Sequence, residues 1–264
     1  MATHRSAVLA GADEIQPAIR DINRHDLVDA LRKGLDDFLA CPSHLVLLAL
    51  IYPIVGLLLA RLSFGYDILP VLFPMISGFA LIGPLAAVGL YEMSRRRGRG
   101  AKISLKNAFD AFNSHSIVSI FALGLLQLVI YMAWLGAALT IYSFTFGSRV
   151  PESIPDFAYE VLTTPAGWTL IIVGCGVGFL FAVLVLAISV VSFPMLLDRD
   201  VGAMYAVQTS IRAVMVNPVN MAIWGVIVVS LLVIGMVPFF VGLAVVMPVL
   251  GHATWHLYRK IVKF

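Results

Sequence analysis

Charged residues are scarce in this sequence. Asp, Glu, Lys and Arg together make up 12% of the 264 residues, whereas 60% are hydrophobic and the mean hydropathy is +0.95. Because soluble domains average about 25% charged residues, this composition excludes an ordinary soluble domain and indicates a polytopic membrane protein. The net charge is only +3, and no run of Lys and Arg is interleaved with aromatic residues, so we expect no nucleic-acid partner.

Motifs that carry catalysis are also absent from the sequence. It contains no phosphate-binding glycine loop, no paired-carboxylate motif, no Cys-x-x-Cys and no nucleophile elbow. The two cysteines, Cys41 and Cys175, are predicted to be free thiols at different depths. We therefore expect a protein that is not an enzyme, with no catalytic residue, no metal site and no cofactor.

The N-terminal segment lacks the features of a cleavable signal peptide. Its first apolar patch, Ala7 to Ala12, is too short for the core of one, and Asp13 and Glu14 follow at once. We predict that residues 1–22 form a polar, poorly ordered tail and that residues 23–264 form a single membrane domain.

The stretch from Asp67 to Lys106 sets the orientation of the predicted membrane domain. Its uncharged apolar part, Ile68 to Tyr91, is long enough to cross a bilayer, since about 20 apolar residues suffice. Six basic residues follow between Arg95 and Lys106, and such clusters stay in the cytoplasm. Three prolines lie inside this span, so we expect it to be kinked and internal to the bundle.

Hydrophobic periodicity predicts six membrane spans in an all-α fold. They cover about residues 43–60, 68–91, 117–142, 168–191, 219–236 and 238–256. With both termini in the cytoplasm, sixteen of the 18 basic residues lie on the cytoplasmic side, and only Arg61 and Arg149 lie outside. A short interfacial helix is predicted to begin at Ser153 in the longest outer loop.

Three short amphipathic helices are predicted on the cytoplasmic side, one before each pair of spans. The first covers Asp26 to Cys41, the second is capped by Ser104, and the third carries an apolar stripe from Met204 to Met215. The first helix has Leu27, Leu31, Leu35, Phe38 and Leu39 on its apolar side, and Asp26, Asp29, Asp36 and Asp37 on a face predicted to be solvated. This order suggests a threefold helix-plus-hairpin repeat.

Two places in the sequence are candidate functional sites. Gln127 is the only strongly polar residue near the middle of its span, and an interhelical hydrogen bond is the preferred interpretation. The C-terminal run contains His252, Trp255, His256, Tyr258 and Arg259. His252 and His256 have the spacing of a metal or haem ligand pair, but such residues also anchor helices at the membrane interface, and we favour the anchor interpretation.

Several stretches resemble one family of integral membrane proteins. They are Tyr52 to Gly56, Ser77 to Pro84, Gly89 to Glu92 and Leu250 to Arg259. The resemblance is to a proteobacterial family classed as a domain of unknown function, and it extends over nearly all of the chain after Ile22. It implies a multi-pass protein of the bacterial inner membrane and assigns no activity, substrate or cofactor.

The sequence leaves three hypotheses for function. The preferred one is a non-enzymatic accessory or scaffold protein whose partners are the lipid bilayer and other membrane proteins or further copies of itself. The alternative is a transporter or channel for an uncharged or lipidic solute, because a proline-broken span can line a path. The weaker alternative is a metal or haem site at the cytoplasmic face formed by His252 and His256.

The predicted threading can be tested by cysteine labelling. Cysteines introduced at Arg97 and at Ser148 should react with membrane-impermeant maleimides from opposite sides, with position 148 accessible from the periplasm. Labelling of both positions from one side would contradict the six-span arrangement.

Overall fold

The computed structural model describes residues 17–40, 69–101, 104, 110, 116–147, 153–238 and 241–264. These ranges contain ten helices and one pair of two-residue strands. In chain order they are β1 (Ala18–Ile19), α1 (Arg24–Leu39), α2 (Leu69–Ala86), α3 (Val88–Gly98), α4 (Ile117–Phe146), α5 (Ile154–Thr163), α6 (Pro165–Ser189), α7 (Ser192–Asp198), α8 (Ala203–Val216), α9 (Pro218–Met236), α10 (Leu243–Ile261) and β2 (Val262–Lys263). The predicted span 43–60 and most of the amphipathic helix predicted after Ser104 lie outside the described residues.

Four helical segments among the described residues are long and apolar enough to cross a membrane. They are Phe73–Gly98, which comprises most of α2 and all of α3, Ile117–Phe146, which is α4, Pro165–Asp198, which comprises α6 and α7, and Pro218–Met236, which is α9. These segments coincide with four of the predicted spans. The all-α, multi-pass character of the protein is therefore confirmed, whereas the count of six spans stays a prediction.

The segment predicted as the last span, residues 238–256, has different bounds in the structure. Helix α10 begins at Leu243 and continues to Ile261, and a turn precedes it. Gly235 and Gly242 allow this turn, because an added Cβ at Gly242 would lie 2.8 Å from the Cα of Gly235. Since α10 ends in a polar segment, it is not among the four helices that qualify as spans.

Two of the four apolar segments are interrupted. The first is divided at Ala87, three residues after Pro84, in agreement with the kink predicted for this span. The segment Pro165–Asp198 is divided at Val190 and Val191, where the Val191 N–H donates to the Ser210 hydroxyl at 3.2 Å. The predicted span ends at residue 191, but the apolar segment extends to Asp198. Helix α7 continues it, because Pro194 lies in the first turn, where its missing N–H breaks no helical hydrogen bond.

Helix starts follow the capping chemistry of the sequence. The Ser153 hydroxyl accepts a hydrogen bond from the N–H of Asp156 at 3.2 Å and begins α5, so the helix predicted there is confirmed. Asn23 and Asp26 exchange two hydrogen bonds of 3.0 Å between side chain and backbone and form a capping box at the start of α1.

Helix α1 lies along α10 in very close contact. A Cβ added at Gly34 would lie 2.6 Å from the backbone nitrogen of Ala253 and 2.7 Å from the carbonyl oxygen of Val249. Ala30, one turn earlier on α1, is completely buried, as is Ala253. Small residues at the contact therefore let the two backbones approach.

This contact corrects the predicted orientation of α1. Only Leu27 and Phe38 of the predicted apolar stripe are buried, whereas Leu35 and Leu39 are 43% and 64% exposed. Asp26 and Asp37 were predicted to be solvated and are buried instead. The reason is helical spacing. Positions 26, 30, 34 and 37 share one face, and the small residues at 30 and 34 bring that face against α10.

Helix α8 makes a similar contact with α6 and α7. Its buried residues are small or short, namely Ala206, Thr209, Ser210 and Ala213. Met204 and Met215 of the predicted apolar stripe are more than 70% exposed. Met204 and Met215 thus face away from the helices that α8 contacts, whereas Val207 and Val214 pack against the buried core.

The centre of the bundle is built where α3, α7 and α10 contact one another. Large side chains of all three helices are fully buried there, including Tyr91, Phe193, Leu196, Leu257 and Tyr258. We call this region, together with α1 and the charged ends of these helices, the polar end of the bundle.

The two strands bring the N-terminal and C-terminal segments together. Ala18 pairs with Lys263 and Ile19 with Val262 in an antiparallel arrangement. The Ile22 N–H donates to the Asn217 Oδ1 at 2.8 Å, and Asn220 Nδ2 donates to the Ile22 carbonyl at 2.6 Å. The predicted tail of residues 1–22 is therefore corrected for residues 18–22, because their backbone groups are satisfied by strand pairing and asparagine side chains.

The α1–α10 contact predicts that an added methyl group has different effects at Gly34 and at Gly98. Gly34→Ala should lower the free energy of unfolding by about 1–3 kcal/mol, because the new methyl group overlaps the backbone of α10. Gly98→Ala is the matched control, since nothing lies within 4 Å of a Cβ at that helical position. Thermal unfolding in detergent measures both variants. Equal effects would contradict the close contact.

Candidate functional site

The Asp37 carboxylate on α1 is the centre of a buried polar group of side chains. Its Oδ2 accepts hydrogen bonds from the Ser94 hydroxyl at 2.5 Å and from His256 Nε2 at 2.8 Å. Its Oδ1 accepts from Arg97 Nη1 at 2.5 Å. The Ser94 oxygen also lies 2.8 Å from His252 Nδ1. We call these five residues the Asp37 cluster, and it joins α1, α3 and α10.

The hydrogen bonds of the Asp37 cluster determine the positions of its protons. An ionised carboxylate only accepts hydrogen bonds, so His256 carries a proton on Nε2. Ser94 has a single hydroxyl proton, which it donates to Asp37, and its oxygen therefore accepts the proton on His252 Nδ1. Each histidine thus uses one ring nitrogen to hold α10 to another helix.

The ionisation state of Asp37 follows from the same contacts. Burial by itself raises the pKa of this carboxyl, but the hydrogen bonds from His256 and Ser94 outweigh it and lower the pKa below its ordinary value. The carboxylate is therefore charged at neutral pH. A buried charge that accepts hydrogen bonds from three side chains is a strong constraint on how α1 is seated.

Glu92 on α3 forms a second buried centre of charge. It is 1% exposed, and its carboxylate accepts from Arg95 Nε and from Arg96 Nε, each at 2.7 Å. Arg95 also donates to the Leu197 carbonyl on α7 at 3.0 Å, and Arg96 forms an ion pair with Asp110 at 2.9 Å. The arginines that the sequence marks as topology signals therefore also bind neighbouring elements.

Asp198 at the end of α7 receives donors from the C-terminal run. Its Oδ2 accepts from the Tyr258 hydroxyl and from Arg259 Nη1, both at 3.0 Å. Trp255 is 4% exposed, and its ring lies 5.5 Å from that of Tyr258. Burial and the neighbouring Asp198 raise the pKa of Tyr258, so its hydroxyl stays protonated and donates.

The structure divides the candidate residues of the C-terminal run into two groups. His252, Trp255 and Tyr258, which the anchor interpretation places at the lipid interface, are buried inside the protein. His256 is partly exposed and Arg259 is 53% exposed. Asp37 on α1 supplies a hydrogen-bond acceptor beside His256. Among the described residues, no group of three or more His, Cys, Asp or Glu side chains is arranged to hold a metal ion.

Gln127 lies on the buried face of α4, far from the Asp37 cluster in sequence. Its side chain is completely buried, and neither Oε1 nor Nε2 has a hydrogen-bond partner among the residues that the structure describes. Within this part of the chain, the predicted interhelical hydrogen bond is not formed. Trp134, two turns further along the same face, instead donates its indole N–H to the Pro74 carbonyl of α2 at 2.9 Å.

A cavity of about 340 Å³ opens beside Glu92 at the polar end. Its lining includes Arg95, Arg96 and Arg199, and also the carboxylates of Glu92, Asp110, Asp198 and Asp200. Both signs of charge are present, and several of these groups are paired with each other. The cavity therefore favours neither an anion nor a cation.

Sequence reasoning missed Asp37, Ser94 and Glu92 as parts of this region. A signal was present in the sequence, because Asp37 shares a helix face with Ala30 and Gly34, the small residues that permit close packing. That face competes with the more obvious apolar stripe of the same helix. The partners on α3 and α10 are 57 and 219 residues away in sequence, so no local pattern could identify them.

The chain was also compared with known proteins. Residues 72–198 match the model of a family described as "Predicted integral membrane protein (DUF2189)". No match was found among curated proteins or among solved structures. The family match confirms the resemblance to integral membrane proteins of unknown function. The matched segment contains Ser94, Arg97 and Gln127, while Asp37 and the two histidines lie outside it.

The Asp37 cluster predicts a large effect of a nearly isosteric change. Asp37→Asn should lower the free energy of unfolding by about 3–5 kcal/mol at neutral pH, because Arg97 and His256 lose a buried charged partner. Asp36→Asn is the control, since Asp36 is an exposed neighbour of the same charge.

The effect should also depend on pH. Because folding lowers the pKa of Asp37, its stabilisation is present above the ordinary aspartate pKa and is lost as the pH falls through the lower native value. Thermal unfolding of both variants between neutral and acidic pH measures this. A constant difference down to the acid limit, or equal effects at positions 36 and 37, would contradict the cluster.

Proposed function

We propose that the protein is a non-enzymatic accessory or scaffold protein that binds another membrane protein, in keeping with the match of residues 72–198 to a family of predicted integral membrane proteins. The observation that carries this proposal is the exposure of α6. Only 11% of the span in Pro165–Asp198 is buried, compared with 31%, 33% and 22% in the other three apolar segments. A long helix with so little cover offers the largest surface for a partner within the bilayer.

The exposed side of α6 suits close contact with another helix. Gly176 has nothing within 4 Å of an added Cβ, and Cys175 beside it is an exposed free thiol. Small residues at a helix surface let two backbones approach in lipid, where packing and hydrogen bonding drive association. Ile172 and Phe179, which are about two thirds exposed, flank this surface one turn away on either side.

The polar groups support a structural and not a catalytic role. Ser94 and His252 are each 1% exposed and are bonded within the Asp37 cluster. A nucleophile or general base must reach a substrate, and these groups are buried against helices. We therefore propose that the Asp37 cluster holds the bundle together.

We also propose six spans with both termini in the cytoplasm of a bacterium, in the inner membrane. The sixteen-to-two distribution of basic residues supports this orientation. The pairing of β1 with β2 adds independent support, since residues 18–19 and 262–263 lie together and the chain between them must cross the membrane an even number of times.

A threefold repeat receives similar support. Ala30 and Gly34 of α1 match Ala206 and Ser210 of α8 in position, and all four residues are buried. In each case the helix packs against a helix of another predicted repeat, since α1 contacts α10 and α8 contacts α6 and α7. An ion pair of 2.9 Å between Arg96 and Asp110 also joins α3 to the start of the predicted middle unit.

A transporter or channel for an uncharged solute is the second candidate. Two observations favour it, namely the helix interruptions at Ala87 and at Val190–Val191, and the buried amide of Gln127. Interrupted helices often mark solute sites in transporters.

The accessory function can be tested by crosslinking in native membranes. A Cys41→Ser variant leaves Cys175 as the single cysteine, and a short bismaleimide should then link it to a second copy or to a partner with a free thiol, giving a discrete larger band. The control variant carries Leu180→Cys in a background in which both Cys41 and Cys175 are changed to Ser. Leu180 is 65% exposed but lies about 140° around the helix from Cys175 at 100° per residue.

A photoreactive group attached to Cys175 extends the crosslinking test to partners without a thiol. A discrete adduct from position 175 and none from position 180 supports the proposed surface. If both positions give lipid adducts and no protein adduct, the result would contradict the proposed surface.

A further inference from the structure

Burial of the Gln127 side chain costs free energy, and no hydrogen bond from the described residues offsets it. The amide is completely buried in an apolar helix, and both of its polar atoms lack a partner in the part of the chain that the structure describes. A buried amide without hydrogen bonds loses its hydration and gains nothing in exchange. Buried polar side chains in native proteins are almost always bonded to protein, to water or to a ligand.

The contacts of α4 place Gln127 deeper in the apolar part than the helix interruption at Ala87. A Cβ added at Gly124 would lie 2.9 Å from the side chain of Leu85, and a Cβ added at Gly78 would overlap the ring of Tyr131, so α2 runs antiparallel to α4. The interruption at Ala87 therefore lies between one and two helical turns from Gln127, towards the polar end.

The interrupted helices supply further hydrogen-bonding groups between Gln127 and the polar end. Pro194 has no N–H, so the Val190 carbonyl has no helical donor, and the Val191 N–H bonds to Ser210 instead of to its own helix. In membrane proteins, irregular backbone within the bilayer is tolerated where it faces protein or a polar cavity. The Gln127 amide lies beyond these groups, on an apolar helix.

The chemistry of the Gln127 amide selects a class of ligand. A glutamine amide has two donors and one acceptor and carries no charge. The charged residues of the four apolar segments all lie at their polar ends, from Glu92 onward in one and at Asp198 in another. An ion at the level of Gln127 would have no counter-charge in these segments, whereas a neutral molecule needs none.

We propose that the Gln127 amide binds a small neutral molecule that both donates and accepts hydrogen bonds, of the class of water, alcohols and amides. The site does not depend on the accessory function. It would supply the solute site of the second candidate function, but binding at Gln127 does not require transport.

Isotope labelling isolates this amide, because the chain contains only three glutamines, Gln16, Gln127 and Gln208. The protein labelled with ¹⁵N-glutamine and held in nanodiscs should show three side-chain NH₂ signals, and Gln127→Met assigns one of them by its loss. We expect the Gln127 signal to show magnetisation transfer from water, or a saturable shift on titration with glycerol or urea. Gln208 is exposed on α8 and reports the non-specific effect of each probe.

Thermal unfolding gives a second readout with a definite sign. If the amide is occupied, Gln127→Met removes bonded groups and should lower Tm by at least about 2–4 °C. If the amide is unoccupied, the same change removes an unpaired polar group and should raise Tm. Leu123→Met is the matched control, since Leu123 is buried on the same face one turn earlier and a volume-conserving change there should be nearly neutral.

The proposal requires both results. Contact with water, glycerol or urea together with a lower Tm for Gln127→Met upholds it, and contact with water alone assigns water as the ligand. A Gln127 signal that no probe reaches, or a Gln127→Met variant at least as stable as Leu123→Met, would overturn it. Flux of glycerol or urea into proteoliposomes is measured separately, and its absence would reject the second candidate function while leaving the site intact.

Discussion

The seating of one charged helix against the membrane bundle is the constraint on which the rest of the structure depends. Asp37 on α1 is buried and ionised, and it accepts hydrogen bonds from Ser94, Arg97 and His256. A charge removed from water is tolerated only where such partners surround it. Because the partners lie on α3 and α10, the position of α1 fixes how these two helices meet. The close contact at Gly34 makes the arrangement possible, since any larger side chain would keep the carboxylate away from its donors.

The protein thus separates its polar and apolar parts along the length of its helices. Carboxylates and arginines gather at the polar end, where Glu92 joins Arg95 and Arg96, and Asp198 joins Tyr258 and Arg259. The other parts of α4, α6 and α9 present apolar side chains to their surroundings. In lipid, ion pairs at the polar end can specify which helices are neighbours, because apolar surfaces alone discriminate little between partners. Within the apolar segments that the structure describes, the buried amide of Gln127 departs from this scheme.

The sequence predicted the features that depend on local pattern. Apolar runs located α2, α4, α6 and α9, the prolines of the second predicted span indicated an interruption near Pro84, and Ser153 marked the start of α5. It did not predict which face of α1 is buried, because a stripe of leucines suggested one face and the small residues Ala30 and Gly34 decided the other. The tail was also predicted wrongly at residues 18–22, which are held by β2 and by Asn217, almost 200 residues away. Interactions over such distances leave no trace in periodicity or composition.

The central claim, that the Asp37 cluster couples α1 to α10, is tested most directly by a double-mutant cycle between Asp37 and His256. The free energy of unfolding is measured for the wild type, Asp37→Asn, His256→Gln and the double variant in one detergent at neutral pH. Because the two side chains share a hydrogen bond of 2.8 Å inside one network, their coupling energy should be about 0.5–3 kcal/mol. Additive effects, within about 0.3–0.5 kcal/mol, would mean that the two residues act independently and would contradict the account.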